Sequence, residues 1–219
     1  RLLEDEALIN RLGFNNHGAE IISDRIKSNN KQGLLGINVG PNKDSNNRMN
    51  DYLIGLRAFH KFADYITINI SSPNTENLRN FHEESKLQEL LKSISEEKKD
   101  LKSDVPIAVK ISPDIDENQI NLISEILLEN KIKAIIISNT SESSRNSLSD
   151  IQRHQKGGLS GKPIEKKSNI LISKFYKLLK GNIKIIGVGG VDSGQAAYDK
   201  FLAGADFVQL YTGMVFKGP

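Results

Sequence analysis

Short β-branched runs alternate with longer helical patterns along this chain, and that alternation leaves few folds open to it. The runs are Leu34 to Val39, Tyr65 to Ile70, Ile107 to Ile111, Ala134 to Ser138, Ile183 to Val188 and Phe207 to Tyr211. Each is mostly apolar, as a strand covered on both faces would be. Between them, Leu87 to Ile94, Ile120 to Leu128, Ile170 to Leu179 and Gln195 to Ala203 space their apolar residues three and four apart, which predicts helices. Gly204 is placed to end the last of these. Repeated strand-then-helix units predict a parallel sheet with right-handed crossovers. Six units favour a barrel over an open sheet. A complete (β/α)8 TIM barrel needs eight strands and about 250 residues. The 219 residues therefore read as a single partial barrel domain over 1–219, lacking roughly the first two strands and the C-terminal helix.

Composition excludes several classes of function. The formal net charge of +3 is spread over mixed acids and bases, too weak a bias for a nucleic-acid surface. No apolar stretch approaches the roughly 20 residues of a membrane span, and no signal-peptide pattern opens the chain. Cysteine is absent, which removes disulfides, thiolate metal sites and a cysteine base. The four histidines, His17, His60, His82 and His154, have no metal-ligand spacing. Asp114 and Asp116 lack further ligands, so no metal is expected; Asp114 is expected to cap the helix after Pro113.

In parallel α/β folds, chemistry collects on the loops after the strands. Here the second run breaks into Asn69-Ile70-Ser71-Ser72-Pro73-Asn74-Thr75, a concentration of hydroxyls and carboxamides suited to a planar, hydrogen-bonding small molecule. Asn38, Asn69, Asn74 and Asn139 all fall at or just past strand ends; each alone is a turn residue, but together they offer uncharged donors and acceptors. Lys110 ends the third run and supplies a cation there, for an anionic ring or for charge developing on a cofactor; the alternative is an exposed edge lysine. Gly187 to Gly190 and Tyr211-Thr212-Gly213 end the fifth and sixth runs, with Gly157 to Pro163 as a loop before them. Glycine turns in these late positions favour a phosphate site, against tight-turn packing as the other reading.

The residues resemble the dihydroorotate dehydrogenases, specifically class 2, the quinone-dependent branch. The matching motifs are Asn10 to Gly18, Gly36 to Gly40 with Asn42-Lys43-Asp44, Asn69 to Thr75 with Leu78-Arg79, Val109-Lys110, Ser138 to Thr140, Gly157 to Pro163, Ile185 to Gly190 and Leu210 to Gly218. They occur in the family's order and span nearly the whole chain. The resemblance implies an FMN-containing barrel that oxidises (S)-dihydroorotate to orotate in pyrimidine (UMP) biosynthesis, passing electrons to a quinone. It implies Ser72 as the general base. Substrate contacts would come from Asn10, Arg11, Leu12, Gly13, Phe14, Asn69, Asn74, Asn139 and Thr140. FMN contacts would come from Asn10, Asn38, Asn69, Lys110, Ser138, Ser160, Gly161, Gly189, Gly190, Tyr211 and Thr212.

The absent cysteine separates the classes, because soluble class 1 relatives use cysteine where this chain has Ser72. Serine is a poor base in water, so a dry pocket and a relay must compensate; the polar segment Thr75 to Glu84 is expected to be a lid. Pro41 stands where the family usually has lysine, and Ser138 where it usually has threonine, which keeps the hydroxyl. Class 2 also implies peripheral association with the cytoplasmic face of the inner membrane in a bacterium. No residue here builds a quinone site. The competing readings are a non-catalytic phosphate- or nucleotide-binding barrel, which leaves Ser72 and the asparagines unexplained, and a different FMN-dependent dihydropyrimidine-type dehydrogenase, a group that tends to use cysteine as base.

Overall fold

The computed structural model describes residues 1–29, 32–42, 44–72 and 82–219. The first half runs β1 (Ala7–Asn10), α1 (Ala19–Ser28), β2 (Gly36–Val39), α2 (Arg48–Phe59), β3 (Tyr65–Asn69), α3 (Glu84–Asp100), β4 (Ile107–Ile111) and α4 (Glu117–Glu129). The second half runs β5 (Ala134–Ile137), β6 (Gly158–Gly161), α5 (Glu165–Leu179), β7 (Lys184–Val188), α6 (Gly194–Leu202), β8 (Phe207–Gln209) and α7 (Thr212–Lys217). All six expected strands form, and they pair in parallel in the order β2-β3-β4-β5-β7-β8. This is the curled sheet of a partial TIM barrel.

Pairing register divides the sheet into two faces. Ile66 stands beside Ile107, Ile68 beside Val109, Ile111 beside Ile137 and Ile135 beside Ile185. This apolar stripe packs against Leu56 of α2, Leu87, Leu90, Leu91 and Ile94 of α3, Ile123 and Leu127 of α4, and Ile172 and Phe175 of α5. Those helical positions recur at three- and four-residue spacing, so each helix turns one apolar face to the sheet. The opposite face of the same strands carries Asn38 beside Thr67, and Asn69 beside Lys110. The strands are therefore covered by helices on one side only, and the polar residues hidden in the apolar runs all fall on the other. Across that inner face Gln209 Nε2 donates to the Tyr65 hydroxyl at 3.1 Å, linking β8 to β3.

The sequence reading needs two corrections here. Gly157 to Pro163, expected as a loop, contains β6, which pairs antiparallel with β1. A four-residue strand holding two glycines carries no strand signal of its own, and its partner lies far away in sequence. Glycine is required at 161: φ is +101°, and a Cβ there would lie 2.4 Å from the Glu6 carbonyl oxygen. The second correction concerns the helix cap. Asp116, not Asp114, caps α4, accepting from the Gln119 N–H at 2.9 Å while Gln119 Oε1 accepts from the Asp116 N–H. Asp114 is occupied elsewhere.

One buried charge is unexpected. Lys200 on α6 is 0% exposed, and its Nζ donates to Asn169 Oδ1 at 2.8 Å and Ser168 Oγ at 3.2 Å. Burial pushes the ammonium down to about 8, with Glu165 pulling the other way. The native state thus releases this proton at lower pH than the unfolded chain, whose lysine titrates near 10.5. Between those values the unfolded state binds more protons, so stability rises with pH. In thermal unfolding from pH 8 to 10, the wild-type protein should gain stability relative to Lys200→Met, whose slope should be flatter. Equal slopes would remove Lys200 as the source.

Candidate active site

Four elements deliver a connected set of carboxamides and hydroxyls to the C-terminal ends of β2, β3 and β5. Asn69 closes β3 and is 5% exposed. Its Nδ2 donates to Asn38 Oδ1 on β2 at 3.2 Å. Its Oδ1 accepts from the Ser71 N–H at 3.2 Å, from Ser71 Oγ at 3.1 Å and from Asn139 Nδ2 at 3.3 Å. Asn139 follows β5, and its Nδ2 also donates to Ser71 Oγ at 3.0 Å while its Oδ1 accepts from the Thr140 N–H at 2.8 Å. From behind, the Tyr52 hydroxyl on α2 donates to the Asn69 carbonyl at 2.7 Å. Tyr52 is fully buried, and burial pushes its phenol well above the ordinary range, so it remains a donor.

Lys110 sits beside Asn69 in register, on a central strand rather than an edge. Burial lowers its pKa, and no charged or hydrogen-bonding side chain offsets that loss among the described residues. A partly desolvated cation attracts an anionic ligand.

A cavity of about 710 Å³ opens on Lys110 and Asn139, within the range of small-molecule sites. Asn10, Arg11, Leu12 and Gly13 line it from β1 and the turn beyond; Ser138 and Thr140 line it beside Asn139. Ser160 and Gly161 of β6, Gly189 and Gly190 after β7, and Tyr211 and Thr212 after β8 complete the wall. Ser160 Oγ and Thr212 Oγ1 are 2.9 Å apart. Gly190 has φ +76°, and a Cβ there would lie 2.4 Å from Glu165 Cβ, so this turn admits no side chain. Asn10 and Arg11 also brace β1 against β6, donating to the Gly158 carbonyl at 3.4 Å and the Lys156 carbonyl at 3.1 Å.

Four expected residues among those described do not line this cavity: Asn69, Asn38, Phe14 and Ser72. Asn38 and Phe14 line a second hollow of about 510 Å³ over the end of β2, which joins the first set through the Asn38–Asn69 bond. Ser72 is 6% exposed, one residue beyond Ser71, and does not line the main cavity. Asn74, Lys43, Leu78 and Arg79 lie outside the described residues, as does most of the expected lid, Thr75 to Glu84.

Three contributors carried no signal in the sequence: Tyr52, which anchors Asn69, Ser71 and Asp114. Ser71 ties Asn69 to Asn139, yet in sequence it is one hydroxyl among several in its stretch. Asp114 accepts from Ser141 Oγ at 2.6 Å and the Glu142 N–H at 2.7 Å, and pairs with Lys167. Burial raises its pKa, but Lys167, Ser141 and the Glu142 amide together hold the carboxylate below its ordinary value. This cluster fixes the chain just beyond Thr140 against the β4 loop.

The family model for dihydroorotate dehydrogenase matches residues 1–219. Curated relatives named dihydroorotate dehydrogenase (quinone) include those of Mesorhizobium japonicum, 46% identical, and Bartonella tribocorum, 42% identical. Each alignment covers 100% of this chain but only 61% and 62% of the relative, so the chain spans about six-tenths of their length. Among solved structures, the dihydroorotate dehydrogenase of Eimeria tenella in complex with ferulenol superposes with TM-score 0.94 at 32% identity, over 100% of this chain and 65% of that one. Its ligand-free form gives TM-score 0.95 at 33% identity.

The Tyr52 anchor is directly testable. Tyr52→Phe leaves the buried Asn69 carbonyl without its donor, which should destabilise the protein by about 1–3 kcal/mol. Urea unfolding would show a lower midpoint at unchanged slope. An unchanged midpoint would mean the bond contributes nothing net.

Proposed function

The chain belongs to the dihydroorotate dehydrogenase family, and on that premise we propose that the protein oxidises (S)-dihydroorotate to orotate in pyrimidine (UMP) biosynthesis, with FMN as hydride acceptor and a quinone as final electron acceptor. The observation that carries the reading is the tied set Asn38, Asn69, Ser71 and Asn139 beside Lys110, which no carboxylate among the described residues pairs. Neutral paired donors and acceptors suit the amide edges of a pyrimidine ring, and the cation suits an anionic ring system.

FMN fits the residues present. The cavity has the volume for it, the Gly189–Gly190 turn gives a backbone surface for a phosphate, and Ser160 and Thr212 add hydroxyls. When bound, FMN supplies a two-electron acceptor at N5 for the hydride from C6 of dihydroorotate. In this assignment Lys110, Ser138, Ser160, Gly161, Gly189, Gly190, Tyr211 and Thr212 hold the cofactor, with Asn38. Asn10 and Asn69 contact both ligands. The backbone and side chains from Arg11 to Phe14, with Asn74, Asn139 and Thr140, hold the substrate.

Ser72 takes the proton from C5. Its burial supports this role, because a hydroxyl acts as a base only where water does not compete. Asn69 and Asn139 orient the ring, and Lys110 stabilises negative charge as it develops. The electrons then pass to the quinone, whose site belongs to no residue named here. No helix among the described residues is long and apolar enough to cross a membrane; peripheral attachment to the cytoplasmic face of the inner membrane is part of the same proposal.

Stopped-flow mixing of dihydroorotate with the oxidised full-length protein tests the reading. The flavin band should bleach, about 10²–10⁴-fold more slowly in Ser72→Ala, with Ser72→Cys retaining more activity than Ser72→Ala. Equal bleaching in Ser72→Ala would reject the base assignment. Lys110→Ala should slow bleaching by about 10²–10³-fold at saturating substrate; a wild-type rate would place Lys110 outside the reacting centre.

A further inference from the structure

Backbone N–H groups fix the orientation of two carboxamides in the site. An N–H can only donate, so the Asn69 atom 3.2 Å from the Ser71 N–H is the oxygen, and the Asn139 atom 2.8 Å from the Thr140 N–H is the oxygen. It follows that Asn139 presents Nδ2 to Asn69 Oδ1 and to Ser71 Oγ. A carboxamide nitrogen has two N–H donors, and both are then used within the protein. Asn69 spends one of its two N–H donors on Asn38.

Among the described residues nothing accepts the second Asn69 N–H, and Asn139, which lines the cavity, keeps an acceptor lone pair for a ligand. Ser71 Oγ closes this arrangement. It accepts from Asn139 while donating to Asn69, and at 0% exposure water does not replace it. Removing the hydroxyl takes away one of the two acceptors that Asn139 Nδ2 uses within the protein. The Thr140 N–H still holds the Asn139 oxygen, but the carboxamide loses the bridge that fixes its distance from Asn69.

We propose that Ser71 is a positioning residue whose hydroxyl bridges Asn69 and Asn139 and holds the two carboxamides at the spacing required by a ring edge carrying a carbonyl beside an N–H. This rests on the proposed dihydroorotate and orotate reading. The serine acts on the ligand only through the two carboxamides, so its loss should weaken ligand affinity before it affects the cofactor.

The test compares full-length, FMN-loaded wild type with Ser71→Ala and Ser71→Cys. Cysteine keeps the volume but is a weak hydrogen-bonding partner. Orotate binding is read by calorimetry, cofactor content by flavin absorbance, and KM and kcat for dihydroorotate by steady-state kinetics. Both variants should bind orotate about 10-fold more weakly, the loss expected for one or two neutral hydrogen bonds. KM should rise in step, kcat should change less than KM, and FMN content should stay at the wild-type level. Wild-type orotate affinity in either variant, or FMN loss parallel to the affinity loss, would overturn the inference. Should Ser71→Ala fail to fold, Ser71→Cys decides alone. Failure of the wild type itself to bind orotate would reject the proposed function, a result distinct from failure of Ser71.

Discussion

Burial of one apolar stripe on each strand controls where the polar groups of this protein go. Ile66, Ile68, Val109, Ile111, Ile135 and Ile137 are 0% exposed against the helices. Side chains alternate along a strand, so that stripe leaves Thr67, Asn69 and Lys110 no choice of face. A slip of one residue in β3 would drive Asn69 into the helix layer and lift Ile68 into the site, at the cost of a buried unpaired carboxamide and an exposed isoleucine. The hydrophobic core therefore enforces the register Asn69 beside Lys110, and that register places a carboxamide next to the cation that lines the cavity.

The strands were legible because each is a local event: a short β-branched run with a helix on either side. What escaped the sequence depended on distant partners. β6 has no strand character until β1 arrives beside it, 148 residues away at Asn10 and Gly158. Helix α2 was not among the named patterns: its buried positions Tyr52, Gly55, Leu56 and Phe59 keep helical spacing, but Leu53 and Ile54 off that face blur the apolar stripe. Asp114 looked like a cap because it follows Pro113, but Ser141 and Lys167 reach it from other elements while Asp116 satisfies the helix. In the site, the asparagines were conspicuous as residue types at strand ends. Their mutual bonding was not, since the Asn69–Asn139 contact joins strands that are not neighbours in the sheet.

The charges divide along the same lines. Lys167 meets Asp114, and Lys162 meets Glu6, so these lysines are neutralised where they stand. Lys200 is buried but held by neutral oxygens on α5, and Ser168 passes that contact to the Val188 carbonyl at 2.8 Å, beneath the glycine turn. Lys110 alone among these combines depressed basicity with an opening to the cavity. Desolvation makes its positive charge costly in the free protein. An anionic ligand relieves that cost, so part of the binding free energy is already stored in the placement of one side chain.

The carboxamides add direction to that attraction. A cation draws any anion, whereas in the proposed function the Asn69 donor and the Asn139 acceptor would admit only one arrangement of groups along the ligand edge. Main-chain amides hold those orientations, and the main chain is in turn held by the Tyr52 hydroxyl through the Asn69 carbonyl. Ser72, the proposed base, lies three residues past Asn69 on the same segment. A base must meet one particular hydrogen of its substrate, and a hydroxyl, unlike a carboxylate, has little intrinsic basicity to spare for poor alignment. A serine base therefore requires more rigid surroundings than a stronger base does. The buried hydrogen bonds from Tyr52 through Asn69 and Ser71 to Asn139 supply that rigidity from the fold itself.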